Sequence, residues 1–140
     1  MFIIDAAAMM KWCFEDERPP NAEALMKRLV SAGMAAPAIF PLEIINTLWV
    51  AERKKRLTAQ QSSAFIALVE GLRIEIDAET PWRAWSETRE LSRREGLSAY
   101  DAAYLELAIR RQASLASFDK SLLKAARANK VPVLEIGPQQ

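Results

Sequence analysis

Four carboxylates stand where apolar runs give way to helix starts. Asp5 closes Met1-Phe2-Ile3-Ile4, and Glu43 follows Ala38-Ile39-Phe40-Pro41-Leu42. Asp101 lies within Leu97-Ser98-Ala99-Tyr100-Asp101-Ala102-Ala103, and Asp119 follows Ala113-Ser114-Leu115-Ala116-Ser117-Phe118. If these runs are parallel strands, their C-terminal ends share one sheet edge, where open α/β sheets place their sites. Oxygen-only ligands gathered there suit Mg²⁺ or Mn²⁺. Two carboxylates about 4 Å apart repel by about 4 kcal/mol at an effective dielectric near 20. Such a cluster either takes up protons or binds a cation. No Lys or Arg adjoins Asp5, Glu43 or Asp101 in the sequence, so a divalent ion is the simpler partner. The chain has no histidine, which removes imidazole acid–base chemistry and the usual zinc patterns.

Each acid also has a purely structural reading. Asp5 and Asp119 can be N-caps, and Glu43 can favour a helix N-terminus through the helix dipole. Ser98-Ala99-Tyr100-Asp101 fits a capping box with Asp in the usual Glu place. Capping explains the helix starts but not why acids directly follow core strands. Other starts use Asn21, Thr58 and Thr80, so a carboxylate was not required there.

The elements that must position these acids alternate between strand and helix. Phe2-Ile3-Ile4 reads as a buried strand, followed by a helix over Ala6 to Phe14. Glu15 to Asn21 is a charged loop broken by Pro19 and Pro20. Asn21 is placed to cap a helix with Ala24, Leu25, Leu29 and Ala32 inward, ended by Gly33. A strand over Ala35 to Ile39 leads to a helix from Pro41 to about Arg56, in which Leu42, Ile45, Leu48 and Trp49 share one face. Thr58 caps a helix carrying Phe65, Leu68 and Val69 inward, and Ile74-Glu75-Ile76 is a strand. Thr80-Pro81 starts a helix bearing Trp82, Trp85 and Leu91 that Gly96 stops. Ser98 caps another to Arg111. A strand over Ala113 to Ala116, a helix over Lys120 to Asn129 and a strand over Val131 to Leu134 complete the chain. The order argues for an α/β fold, a three-layer α/β/α sandwich with a central parallel sheet of about five strands. Residues 1–136 read as one domain and residues 137–140 as a tail.

Composition sets the bounds. Length suits one core, and 51% hydrophobic residues argue against disorder. A formal net charge of +1 does not announce a nucleic-acid binder, although a local basic face survives that total. Cys13 is the single cysteine, so no internal disulfide forms, and no histidine exists to activate its thiol. It reads as a small buried residue. Asp5 interrupts the first apolar run too early for a signal peptide, and no run approaches the roughly 20 residues of a membrane span. The expectation is a soluble cytoplasmic protein. With glycine only at 33, 71, 96 and 137, there is no phosphate-cradling loop.

At the four acids the chain resembles the PIN-domain family, and within it the VapC-type ribonuclease toxins of bacteria and archaea. Phe2-Ile3-Ile4-Asp5-Ala6 followed by Lys11-Trp12 resembles the family's first motif. Pro41-Leu42-Glu43-Ile44-Ile45-Asn46-Thr47-Leu48 resembles the second, an acid with Asn three residues later. Leu97 to Tyr104 is the most specific match, and Leu115-Ala116-Ser117-Phe118-Asp119-Lys120-Ser121-Leu122 resembles the fourth motif. The matches run in family order over nearly the whole chain. The resemblance implies a parallel five-stranded sheet and an acidic pocket for Mg²⁺ or Mn²⁺ that cleaves RNA. Asp5, Glu43, Asp101 and Asp119 carry over as catalytic acids, with Asp5, Asp101 and Asp119 on the metal and Glu43 orienting the attacking water. Asn46 and Ser117 carry over as supporting polar groups. Ala7 stands where the family commonly has Ser or Thr. The resemblance also implies a homodimer and a cognate antitoxin.

Other features are weaker. Arg53-Lys54-Lys55-Arg56 reads first as a solvated helix end and second as an RNA phosphate contact. Arg93-Arg94 and Arg110-Arg111 share that ambiguity. Trp12, Trp49, Trp82 and Trp85 read as core or subunit-interface residues ahead of base-stacking platforms. Tyr100 and Tyr104, flanking Asp101, are the better candidates to border a substrate groove, with packing as the default. Two further functions stay open: an RNA-processing nuclease of the same fold, and a non-catalytic binding module, for which Ala7 is mild support.

Overall fold

The computed structural model describes residues 1–137. Five short strands, β1 (Phe2–Ile4), β2 (Met34–Pro37), β3 (Glu75–Asp77), β4 (Ser114–Ser117) and β5 (Val133–Glu135), form one sheet in the order β3-β2-β1-β4-β5. Every neighbouring pair is parallel. β1, β2 and nearly all of β4 are buried, which suits short apolar runs covered on both faces. The chain lays strands outward on one side of β1, then returns to lay β4 and β5 on the other. The order therefore reverses between β1 and β4, and that junction is the topological switch point of the sheet.

Among the described residues eight α-helices connect the strands: α1 (Ala6–Met9), α2 (Ala22–Ala32), α3 (Phe40–Arg53), α4 (Ala59–Gly71), α5 (Thr80–Arg83), α6 (Arg89–Glu95), α7 (Ala99–Arg111) and α8 (Lys120–Ala128). α7 packs on β1, β2 and β4, while α8 packs on β4 and β5. An unbroken buried stretch from Ala102 to Ala108 makes α7 the central helix. Flanking helices on the parallel sheet give the expected α/β/α sandwich. Among the described residues no helix is long and apolar enough to cross a membrane. The tail expected at residues 137–140 lies, apart from Gly137, outside the described residues.

Local chemistry sets several boundaries as expected. Gly33 (φ 86°) and Gly96 (φ 68°) end α2 and α6 in conformations that disfavour other residues. Thr58 and Gln61 form a reciprocal capping box on α4. Ser98 accepts from the Asp101 N–H at 3.1 Å, but the return bond is not made. The aspartate side chain is one methylene shorter than the glutamate of a full box.

Other expectations are corrected. Asn21 precedes α2 in a left-handed conformation (φ 55°) and makes no side-chain cap. Ala24 and Ala32 face solvent, and the inner face of α2 is Leu29 flanked by Leu25 and Met26. In α3 the buried stripe is Phe40, Ile44, Leu48 and Ala51, so Leu42, Ile45 and Trp49 point outward. Leu68 of α4 is also exposed. The first helix is shorter than expected. After Met9 the chain tightens into a 3₁₀ turn over Met10–Trp12, and Trp12 Nε1 donates to the Ala22 carbonyl at 3.1 Å. Cys13 closes that turn half-buried. Trp82 and Trp85 are largely exposed, because the segment from α5 through a π-helical turn (Ala84–Thr88) to α6 buries only Thr88 and Leu91.

Candidate active site

β1 and β4 pair in register, Ile4 opposite Ala116, and the Asp5 N–H donates to the Ala116 carbonyl at 3.0 Å. That pairing sets Asp5 beside Ser117 at the switch point. The Ser117 hydroxyl donates to Asp5 Oδ2 at 2.9 Å and accepts from the Asp119 N–H at 3.0 Å. Asp5 also caps α1, its Oδ1 accepting from Ala7 N–H at 3.3 Å. Asp119 caps α8 by accepting from Leu122 N–H at 2.9 Å. The capping and site readings are therefore compatible. One carboxylate oxygen of Asp119 holds a helix start, and among the described residues the other has no hydrogen-bond partner.

Glu43 enters from the first turn of α3, which follows β2. Its Oε1 accepts from the Tyr104 hydroxyl at 2.7 Å. Tyr104 is fully buried in α7, one turn after Asp101, so α7 supplies both a carboxylate and the phenol that anchors a second one. Three of the four acids feel the charge of a neighbour in the group. Burial pushes the Asp5 carboxyl up to about 6, with Ser117 and Ala7 opposing and the charges of Asp101 and Glu43 adding to the rise. Burial also raises Glu43, against the pull of the Tyr104 bond and with the charge of Asp101 adding. Asp101 is raised by burial and then by Asp119.

The fold thus brings Asp5, Glu43, Asp101 and Asp119 to one end of the sheet, with Ser117 bridging Asp5 and Asp119. Asn46, one turn after Glu43, does not bond to them. It lines a cleft of about 390 Å³ with Ala7, Phe14, Glu17, Arg56 and Phe118 among others. Tyr100 is exposed, and Tyr104 is part of the site and not its border. Among the described residues no three acidic side chains form a ready-made metal-binding group. The donor set nonetheless fits a hard divalent cation: all oxygen, with Asp5, Glu43 and Asp101 raised by burial and then by a neighbouring carboxylate. A cation would offset that repulsion.

A fifth carboxylate at this sheet edge behaves differently. Asp77 ends β3, but Arg110 donates to both of its oxygens, at 2.7 and 3.2 Å, and Thr80 donates at 2.9 Å. Despite burial, these bonds hold its carboxyl below the usual range. Arg110 also grips Glu106 at 2.8 and 3.0 Å. Arg110 is therefore not the solvated surface residue that its sequence pair with Arg111 suggests. Asp77 has its own guanidinium and is a structural ion pair.

A parallel sheet of this order, with acids at its switch point, defines a class of α/β protein with a carboxylate-based centre. The PIN domain model matches residues 2–128, and the chain belongs to that family. PIN domains are generally nucleases, and they generally use divalent metal ions. No curated protein sequence matches the chain. Among solved structures it is similar to PAE2754 from Pyrobaculum aerophilum, at 20% identity and TM-score 0.66, over 89% of this chain and 84% of that one. It is similar to FitAcB from Neisseria gonorrhoeae, at 18% identity and TM-score 0.66, over 96% and 97%. It is also similar to VapBC2 from Rickettsia felis, described as bound to a DNA fragment from their promoter, at 15% identity and TM-score 0.67, over 99% and 98%. At these identities the likeness is one of fold.

Proposed function

We propose that the chain is a metal-dependent endoribonuclease toxin that an antitoxin neutralises. One observation carries the reading: Asp5, Glu43, Asp101 and Asp119 converge where the strand order reverses, and each of Asp5, Glu43 and Asp101 has its proton affinity raised partly by another of the four. Residues 1–136 would form the nuclease unit. Asp5, Asp101 and Asp119 would hold Mg²⁺ or Mn²⁺. A bound ion lowers the pKa of water and neutralises charge growing on phosphoryl oxygens. Ser117 fixes the rotamer of Asp5 and leaves Oδ1 turned toward the start of α1. Glu43, anchored by the buried phenol of Tyr104, is placed to orient the attacking water and accept its proton. Attack by a ribose hydroxyl usually draws on a base and acid such as histidine, which this chain lacks.

Partners follow the same reading. The outward face of α3 carries Leu42, Ile45 and Trp49, and burying it against a second copy would make a homodimer. An apolar groove of about 390 Å³ between α3, α4 and β3, lined by Phe40, Ile44, Ile66, Val69 and Ile74, would receive the antitoxin beside Glu43. The structural relatives include FitAcB and VapBC2, which supports a toxin–antitoxin setting, and the reading places the protein in the cytoplasm. The deciding experiment incubates purified protein with structured and single-stranded RNA in Mg²⁺, Mn²⁺ or EDTA. Cleavage should stop in EDTA and return with either ion. Full activity in chelator would refute the metal mechanism, and no cleavage of any RNA would leave only a binding module.

A further inference from the structure

Beside the acids, two cations grip one carboxylate. Lys11 Nζ lies 3.7 Å from Glu17 Oε1, and Arg56 Nη2 lies 3.0 Å from Glu17 Oε2. Each cation rests on an aromatic face. Lys11 sits 4.1 Å from the centre of the Phe118 ring, and the Arg56 guanidinium 4.0 Å from that of Phe14. Phe118 lies between Ser117 and Asp119 in the chain and lines the neighbouring cleft. Glu17, Arg56, Phe14 and Phe118 all line the cleft that begins at Ala7, two residues after Asp5. Lys11 is held by the 3₁₀ turn after α1, Glu17 by the following 3₁₀ turn (Glu15–Glu17), and Arg56 by the loop after α3. Arg56 lines the cleft itself, Lys11 meets it through Phe118 and Glu17, and each cation has an aromatic contact besides Glu17.

We propose that Lys11 and Arg56 form a subsite for a backbone phosphate of the RNA strand next to the one being cleaved, and that Glu17 occupies this subsite until RNA displaces it. The inference rests on the nuclease reading and adds to it a determinant of substrate affinity. Two cations on the two oxygens of one carboxylate present the geometry that a phosphodiester takes with its two non-bridging oxygens. A net charge of one negative suits both occupants. Aromatic faces hold both cations in place; the Arg56 side chain is 43% exposed, while Lys11, 16% exposed, opens to a ligand when Glu17 moves away. The Glu17 side chain is 34% exposed, and a half-exposed ion pair of this kind contributes little to stability, so a polyanion can compete with it. The neighbouring Asp16, highly exposed and 3.5 Å from Arg56, is a second carboxylate on the same guanidinium, which RNA must also displace. Glu17 then discriminates against short or weakly charged ligands, which cannot offset its loss.

The test measures binding of a fluorescent single-stranded 12-nucleotide RNA by anisotropy in EDTA, where metal-dependent cleavage is off, at two salt concentrations. Cleavage of the same RNA in Mg²⁺ is followed separately. Glu17→Gln should tighten binding about three- to tenfold, and Lys11→Ala and Arg56→Ala should each weaken it by a similar factor. Each cation variant should also flatten the logarithmic salt dependence by about 0.7, the value for one contact to a single strand. A purely structural tether predicts another pattern: all three variants lower the melting temperature and none changes affinity. Unchanged affinity in folded Glu17→Gln and Lys11→Ala, with cleavage by the parent intact, overturns the subsite and spares the nuclease reading. Absence of both binding and cleavage in the parent overturns both. Equal tightening of Glu17→Gln toward a polyglutamate peptide of matched charge assigns the pair to an acidic protein segment and overturns the RNA assignment.

Discussion

Ser117 stands with its hydroxyl 2.9 Å from Asp5 Oδ2, fully buried, across the gap between the two strands where the sheet changes direction. One small side chain thereby links Asp5 to the backbone of Asp119. Ser117→Ala should leave the fold intact and raise the Mg²⁺ concentration needed for half-maximal cleavage about tenfold, the usual effect of losing a hydrogen bond to a metal ligand. An Mg²⁺ titration of cleavage reads this directly. An unchanged midpoint would reduce Ser117 to a packing residue.

Asp5→Asn and Asp101→Asn should each abolish cleavage while the protein stays folded. Asp5→Asn should also stabilise the metal-free protein. The Asp5 carboxyl sits at about 6 in the fold against an ordinary 3.8, so ionised Asp5 opposes folding. The metal-free parent should therefore be most stable near pH 4 and lose stability as pH rises to about 6, levelling off above. Holding the carboxyl that high costs about 3 kcal/mol at neutral pH. Asparagine offers one oxygen to two donors and forfeits about 1 kcal/mol, which leaves a gain of about 2 kcal/mol. Thermal melts in EDTA between pH 4 and 7 check both sign and slope. A parent whose stability rises through this window contradicts the prediction.

Tyr104→Phe isolates the anchor of Glu43. The phenol donates to Glu43 and holds its carboxyl below where burial alone would put it, so removing the hydroxyl raises that carboxyl further. Glu43 must be ionised to take a proton. The acid limb of the pH–rate profile should move to higher pH, with the rate at pH 8 falling far less than the rate at pH 6. Parallel profiles for parent and variant would separate Glu43 from proton transfer.

Arg110 offers a contrast outside the site. Arg110→Ala leaves Asp77 and Glu106 buried without their shared guanidinium, and such a loss costs about 3 kcal/mol. Because Asp77 titrates below its ordinary value, its contribution is complete above about pH 4 and is lost as pH falls through the lower folded value. Denaturant melts at pH 7 and pH 3 should show a large difference between parent and variant at the first and a smaller one at the second. A neutral Arg110→Ala would be incompatible with the bonding described.

The proposed inhibition can be tested with the antitoxin. Its C-terminal segment should lie along the groove between α3 and α4, with one Arg or Lys reaching the four acids and competing with Mg²⁺. An arginine forks onto two carboxylates with directional bonds. Changing that residue to Ala should weaken inhibition about tenfold and make it less sensitive to added Mg²⁺. If deleting the whole tail leaves inhibition unchanged, the blocking model fails. Light scattering of the Trp49→Glu protein should show a shift from dimer to monomer.

The convergence of the four acids was legible because a strand followed at once by an acid is a local pattern. Asp5 after Phe2-Ile3-Ile4 and Asp119 two residues beyond Ser117 need only parallel strands to bring them together. The orientation of α3 was not legible. Leu42, Ile45 and Trp49 have helical spacing as good as Phe40, Ile44 and Leu48, and a helix apolar on two sides cannot announce which side the core takes. Asp77 and Arg110 form their pair across 33 residues, and no local period encodes it. Tyr104 was visible as Asp101's neighbour one turn on, yet its role depended on where Glu43 arrived, which only the packing of α3 against the site could decide.

β4 lies between β1 and β5, and it carries Ser117 and leads to Asp119. A protein made from its N-terminus therefore has Asp5 and Glu43 in hand long before their counterparts exist. Until β4 slots in beside β1, Asp5 lacks its Ser117 hydroxyl and the link through it to Asp119. A chain still emerging from the ribosome is chemically incomplete. An enzyme that attacks RNA would, by this strand order alone, be unable to act on the message and machinery that are making it.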